Sequence, residues 1–304
     1  MRQAIAERRA GLLTYGITPP KRSFDETRRR EVAARQRQRI AGLPVDGVLI
    51  YDLQDESTRT DVTRPFPFIE TIDSVDYGFD YLGTLPLPKI VYRCVAPREP
   101  AELRASLARV DAEDGLTVLV GAASRAQPAR TKLSEAYARC RAELPHLPLG
   151  GVLIAERHEA KGGEDRRLLD KVAAGCSFFV SQAVYSATAS KNLLSDLHYR
   201  SAEADRPVPP ILVTLSPCGS QKTLEFMRWL GISVPRWLEN ELVHAKDILE
   251  TSVELCCEVF LDLLEFARAK GIPLGCNVES VSLKKEEIEA SVELVQRIAQ
   301  LLRS

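Results

Sequence analysis

The sequence predicts an α/β fold, a single (β/α)8 TIM barrel over residues 1–304 with an extended loop after its second strand. Three observations carry this expectation. Apolar, strand-like runs recur along the chain with helical patterns between them. Residues 150–185 spell one complete strand–helix–strand unit, the building block of a parallel sheet. The 304 residues are 45% hydrophobic, enough for one large core at a length where one α/β barrel is a common solution.

Strands are expected near Leu12–Thr18, Gly47–Asp52, Lys89–Val95, Thr117–Gly121, Gly151–Ala155, Ser177–Gln182, Ile211–Leu215 and Pro273–Val278. Helical patterns occupy Glu26–Ala41, Pro100–Glu113, Lys132–Ala142, Asp165–Ala174, residues 188–203, Gln221–Leu230, Ala245–Lys270 and Lys284–Leu302. In the unit at 150–185, Leu168, Leu169 and Val172 keep helical spacing between the apolar runs Val152–Ala155 and Phe178–Val180. Gly175 stands where a helix C-terminus favours a left-handed residue. Residues 156–163 read as a polar loop. The stretch 54–88 is rich in Pro, Asp, Thr and Tyr, and a loop of that length in a compact domain is usually a lid or a binding loop.

Composition narrows the functional classes. Net charge is −1, so no global basic field argues for nucleic acid, although residues 1–40 are rich in arginine. Seven cysteines are scattered without a CxxC pair, and Cys and His show no zinc spacing, so buried reduced thiols and no metal are expected. MRQAIAERRAGLL lacks the apolar core of a signal peptide, and no apolar run reaches the ~18 residues of a membrane span. A cytoplasmic protein is expected, without a membrane partner and compatible with a homo-oligomer. There is no GxGxxG or GxxxxGK loop and hence no separate nucleotide-binding domain.

In a barrel of this class the chemistry gathers at the carboxyl ends of the strands. That rule nominates Gln54, Asp55 and Glu56 after the second strand, Arg93 on the third, and Glu156, Arg157 and His158 after the fifth. It also nominates Gln182 and Tyr185 at the end of the sixth strand and Glu279 after the eighth. Arg93 is read as a charge in the barrel mouth that needs either a carboxylate such as Asp52 or an anionic ligand. Arg157 suits carboxylates and phosphates equally. His158 is either a solvated loop histidine or an acid or phosphate contact. Tyr185 either stacks on a flat ring or packs in the core.

The pieces YGITPPK at 15–21, AERHEAKGGEDRRLLDKVAAG at 155–175, FFVSQAVY at 178–185 and LGISVPRW at 230–237 resemble the methylenetetrahydrofolate reductase family. The run YDLQDESTRTDVTRPFPF marks a divergent branch. The resemblance implies reduction of 5,10-methylenetetrahydrofolate to 5-methyltetrahydrofolate, with NADH or NADPH as hydride source and usually FAD. Gln182 matches the glutamine that bonds the pterin, and Lys171 a lysine near the flavin phosphates. The family's first-strand glutamate, its proposed acid, is replaced here by Gly16. The family's Arg-Gly-Asp on the fourth strand is Val120-Gly121-Ala122, and an aromatic after the seventh strand aligns with Ser220. These losses disfavour a bound FAD.

A replacement acid is needed, because opening the methylene bridge puts a proton on a folate nitrogen. Positioned acid catalysis contributes roughly 10²–10⁴-fold. Asp55 and Glu56 are the first candidates, since adjacent carboxylates raise one another's pKa; alternatively they cap the loop or pair with Arg59 and Arg64. Glu156 and Glu279 come second, and Glu156 has Arg157, Arg166 and Arg167 as alternative partners. The function expected is a folate-dependent oxidoreductase in which Gln182, Gln54, Arg93, Tyr185 and Glu279 meet the folate. Glu156, Arg157, His158 and Lys171 meet the cofactor. The alternatives are a folate-dependent methyl or one-carbon transferase and a non-catalytic folate-binding barrel.

Overall fold

The structure, a computed structural model, describes residues 1–55, 60–122 and 128–304. Eight parallel strands close into a barrel in sequence order: β1 (Leu13–Ile17), β2 (Gly47–Ile50), β3 (Lys89–Cys94), β4 (Leu116–Val120), β5 (Leu149–Leu153), β6 (Cys176–Ala183), β7 (Ile211–Leu215) and β8 (Leu274–Val278). The ring closes where Leu13, Thr14 and Tyr15 pair with Cys276, Asn277 and Val278. The expected (β/α)8 class is the observed one.

The helices are α1 (Arg2–Ala6), α2 (Glu26–Ala41), α3 (Ser74–Asp76), α4 (Pro100–Ala112), α5 (Leu133–Glu143), α6 (Ala155–Lys161), α7 (Glu164–Ala173), α8 (Ala187–Glu203), α9 (Gln221–Trp229), α10 (Arg236–His244), α11 (Ile248–Lys270) and α12 (Lys285–Arg303). Four of these depart from the sequence reading. The polar segment after β5 is helix α6, built from the strong helix formers of AERHEAK and stopped by Gly162 and Gly163. Helix α3 continues into a π-helical turn, Tyr77–Tyr81, inside the stretch expected to be loop. Helix α10 starts behind Pro235, and α1 lies below the barrel. Gly175 has φ +111, the left-handed half of the map, as expected.

Side-chain alternation splits the apolar residues into two layers. Tyr15, Val48, Ile50, Val91, Phe179 and Val213 join the helices in the outer core. Leu12, Leu49, Ile90, Tyr92, Leu116, Val118, Phe178, Val180 and Leu212 fill the barrel interior. Ala4 and Ile5 of α1 complete that inner cluster, and Arg2 donates to the Gly115 carbonyl at the start of β4 (2.8 Å). Helix α1 therefore plugs the amino end of the barrel and leaves the carboxyl end for chemistry. All seven cysteines are free thiols, six of them buried.

In the interior, Phe178 fills the space that Gly150 leaves. A Cβ at Gly150 would stand 2.5 Å from the Phe178 ring, which is fully buried across the β5–β6 pair. Truncating that ring leaves a void which the closed sheet cannot collapse into. Phe178→Ala is expected to cost about 3–5 kcal/mol in urea denaturation, and a loss under about 1 kcal/mol would mean that the interior repacks.

Candidate functional site

The carboxyl-end mouth is built on a buried polar chain. Thr14 donates from Oγ1 to Asn277 Oδ1 (2.9 Å). Asn277 Nδ2 donates to the Tyr51 hydroxyl (3.1 Å) and to Thr214 Oγ1 (3.4 Å). Thr14, Thr214 and Asn277 are all buried, so each needs these partners. Burial and the nearby Glu279 carboxylate push the Tyr51 phenol well above its ordinary pKa. It therefore stays protonated and offers a hydrogen bond to Glu279. Tyr92 tilts against Tyr51 with ring centroids 4.9 Å apart.

Glu279 follows β8 beside Gly16 of β1, one position beyond the paired Tyr15 and Val278. A Cβ on residue 16 would lie 3.0 Å from Glu279 Cβ, 3.0 Å from Tyr51 Cε2 and 3.3 Å from Glu279 Oε2. The bare glycine thus supplies the room that the glutamate occupies. Burial pushes the Glu279 carboxyl up to about 7, against the lowering effect of the Tyr51 hydroxyl. Its Oε2 is shielded from solvent and has no hydrogen-bond partner among the described residues.

Gln182 reaches the rim from β6. Phe178 and Val180 point inward, and a shift in the β6–β7 register follows Val180. Ser181 Oγ bridges that irregularity by accepting from Thr214 N (2.8 Å). The Gln182 amide donates to the Leu230 carbonyl (2.7 Å). Glu156, on the first turn of α6, accepts from the Ser233 backbone; burial raises its pKa despite that bond. Gln182 and Glu156 therefore both hold the segment after α9, part of LGISVPRW.

The loop after β2 crosses the mouth. The Trp229 indole of α9 donates to the Val62 carbonyl (2.9 Å), and the Arg64 guanidinium lies 5.1 Å from the Phe226 ring and 5.2 Å from the Trp229 ring. Farther along, Ile72 donates to Pro20 O (3.0 Å) and Arg22 to Glu70 O (2.8 Å), which ties this loop to the loop after β1. Its described parts thus meet the β4 end at Gly121, α9 at Trp229 and the loop after β1 at Pro20. A surface hollow of about 440 Å³ lined by Ile5, Arg8, Arg141, Cys176 and Arg206 lies at the opposite, amino end and is remote from this chemistry.

The remaining nominated residues fall into separate places. Glu56 lies outside the described residues, and Asp55 is exposed. Gln54 donates to Gly121 O (3.2 Å), while its own Oε1 is buried without a partner among the described residues. Arg93 is not in the mouth. Its neighbours Tyr92 and Val91 face the interior and the helices respectively, so Arg93 turns outward, where its Nη1 meets Asp73 (2.7 Å) and Ser74 (3.3 Å). Burial would raise the Asp73 pKa, but Arg93, a bond from the Val75 amide and Arg98 hold it below its ordinary value. Asp52, expected beside Arg93, instead takes Arg98 (2.8 Å) and the Cys94 amide (2.8 Å).

Tyr185 belongs to the outer core, 2% exposed, with its hydroxyl on Ser216 O and near Ser252 Oγ (3.3 Å). Arg157, expected beside Glu156, binds the fully buried Glu164 (3.1 Å). His158 is held between Asp196 (3.1 Å) and Asp165 (3.6 Å). Lys171 donates to the Val152 carbonyl (2.6 Å), and burial lowers its pKa. Arg157 and His158 thus find their partners among the helices, and Lys171 finds its own on β5. Missing from the sequence reading was the Tyr51–Asn277–Thr14 chain. Alternating parity along β1, β2 and β8 was the available signal, because Thr14, Tyr51 and Asn277 all share the inner face.

These features define a (β/α)8 barrel with a covered polar mouth, a recessed carboxyl and amide side chains on its rim. An uncharacterized protein from Clostridium thermocellum, described as binding two copies of 5-methyl-5,6,7,8-tetrahydrofolic acid, is 46% identical, with 98% of this chain and 98% of that chain covered and a TM-score of 0.87. Tryptophan synthase from M. tuberculosis is 13% identical, with 100% and 97% of the two chains covered and a TM-score of 0.53, a likeness of fold alone. Neither a family model nor a curated protein matches the chain. The chain belongs to the same family as the Clostridium thermocellum barrel.

The raised Glu279 carboxyl links folding to pH. Between its ordinary value of 4.5 and about 7, the folded protein keeps a proton that the unfolded chain has released. Stability from this group therefore falls as pH rises through that window and is lost above it. Glu279→Gln is expected to be more stable than wild type at pH 8.5, by up to about 3 kcal/mol, and to lose that advantage at pH 4.5. Thermal melts at the two pH values check this; an equal displacement at both would refute it.

Proposed function

We propose that this protein binds a reduced folate across its barrel mouth and reduces 5,10-methylenetetrahydrofolate to 5-methyltetrahydrofolate with NADH or NADPH. One observation carries the reading: the 46% identical relative, matched over 98% of both chains, is described as binding 5-methyltetrahydrofolate, the product of that reaction. The resemblance of FFVSQAVY and the neighbouring segments to methylenetetrahydrofolate reductases supports the same chemistry.

Gln182 and the Oε1 of Gln54, which has no partner among the described residues, suit a pterin edge, which presents donors and acceptors together. The Tyr51–Tyr92 pair, its rings inclined by 59°, supplies aromatic surface beside it. Residues expected to serve a flavin do not fit one. Lys171 is spent on a backbone carbonyl and Arg157 on a buried glutamate. The reading is therefore hydride transfer from the nicotinamide directly to the folate, without a resident FAD. A second reading, a folate-dependent methyl or one-carbon transferase, is favoured by the relative's ligand itself, which is a methyl donor as well as a reduction product.

Isothermal titration with 5-methyltetrahydrofolate is expected to give micromolar or tighter binding. Gln182→Ala should weaken it about tenfold, equivalent to about 1.4 kcal/mol. Oxidation of NADH or NADPH with methylenetetrahydrofolate, unaffected by added FAD, separates the reductase from the transferase. No heat with any reduced folate would end both readings.

A further inference from the structure

Resting on the folate reading above, we propose that Glu279 is the proton donor of this barrel, reaching the ligand from β8 through the space that Gly16 leaves open on β1. The step requires a donor. Opening the methylene bridge breaks the bond between the bridge carbon and one of its two nitrogens. The electron pair of that bond stays on the departing nitrogen, which takes the proton. The other nitrogen forms an iminium with the carbon, and hydride from NADH or NADPH turns it into a methyl group. Glu279 regains its proton from water. The sum is methylenetetrahydrofolate, NAD(P)H and one proton giving methyltetrahydrofolate and NAD(P)+.

Geometry singles out this carboxyl among the described residues of the rim. Asp52 is bound by Arg98 and the Cys94 amide, and Asp73 by Arg93 and Arg98. Despite burial, Arg93 and Arg98 hold the Asp73 carboxyl below its ordinary value, which makes it a poor acid. Glu156 is engaged by the Ser233 backbone, and Asp55 stands exposed on the loop. Glu279 alone of these five stands against Gly16 at the barrel wall. A methyl group at residue 16 would come within 3.0 Å of its Cβ and 3.3 Å of its Oε2.

The Tyr51 hydroxyl, itself fixed by Asn277, holds the carboxyl in place. The shielded Oε2, without a hydrogen-bond partner among the described residues, is where that proton sits. Burial places the group near 7, close to half protonated at neutrality, where a general acid works best.

The test is the pH profile of kcat/KM for NAD(P)H-dependent reduction of methylenetetrahydrofolate, with wild type and Glu279→Gln in parallel. Wild type should lose rate above pH 7, about tenfold per pH unit. Glu279→Gln should lose roughly 10²–10⁴-fold in kcat and lack that alkaline limb, while binding 5-methyltetrahydrofolate within about threefold of wild type, which also reports its folding. A variant with wild-type turnover, or a wild type with no ionisation near 7 in its profile, overturns the role of Glu279 and leaves the folate reading standing. Wild-type protein that binds no reduced folate overturns the folate reading as well, whereas one that binds a reduced folate and oxidises neither NADH nor NADPH overturns the role of Glu279 together with the reductase reading alone.

Discussion

Closing eight strands on themselves forces every inward side chain to share one narrow space, and that competition shapes the molecule. Where one strand contributes volume, its neighbour must yield it. Phe178 fills the middle of the barrel because Gly150 gives way. The same rule at the mouth produces the recessed carboxyl: Glu279 comes in because Gly16 withdraws. A core-packing constraint and a functional feature thus have one origin.

Polar groups admitted to that space must satisfy one another. Thr14, Asn277, Thr214 and Tyr51 do so through a short chain linking β1, β2, β7 and β8. The chain fixes the Tyr51 hydroxyl and leaves its proton facing Glu279. The neighbouring ionic groups are kept apart from this centre. Arg93 and Asp73 meet outside the barrel, and Arg157 with Glu164 and His158 with Asp165 meet among the helices. These contacts steady the surrounding helices, and the described inner face of the mouth carries the Asn277 amide, the Tyr51 phenol and the Glu279 carboxyl. The loop after β2, latched to α9 by Arg64 and Trp229, covers it.

Several elements were readable from local pattern. All eight strands fall within about two residues of where apolar runs place them, since a strand buried on both faces advertises itself by composition. Helix α6 was hidden because its seven residues, five of them polar, carry no apolar stripe and run into a glycine pair. Arg93 misled because a charge at a strand end invites a mouth assignment. Its parity with Val91 and Val95, both in the outer core, pointed the other way. Tyr185 failed similarly, lying beyond β6 where the chain has already turned toward the helices.

By itself the sequence determined the barrel class, the position of Gln182 at the end of the sixth strand and the absence of a side chain at residue 16. Only the tertiary structure decided what fills that absence. Gly16 and Glu279 are distant along the chain and meet because the first strand pairs with the last. Local propensity acts over a few residues, whereas ring closure acts between the ends of the chain. The burial that raises the Glu279 carboxyl to about 7 is a product of closure and is written in no single segment.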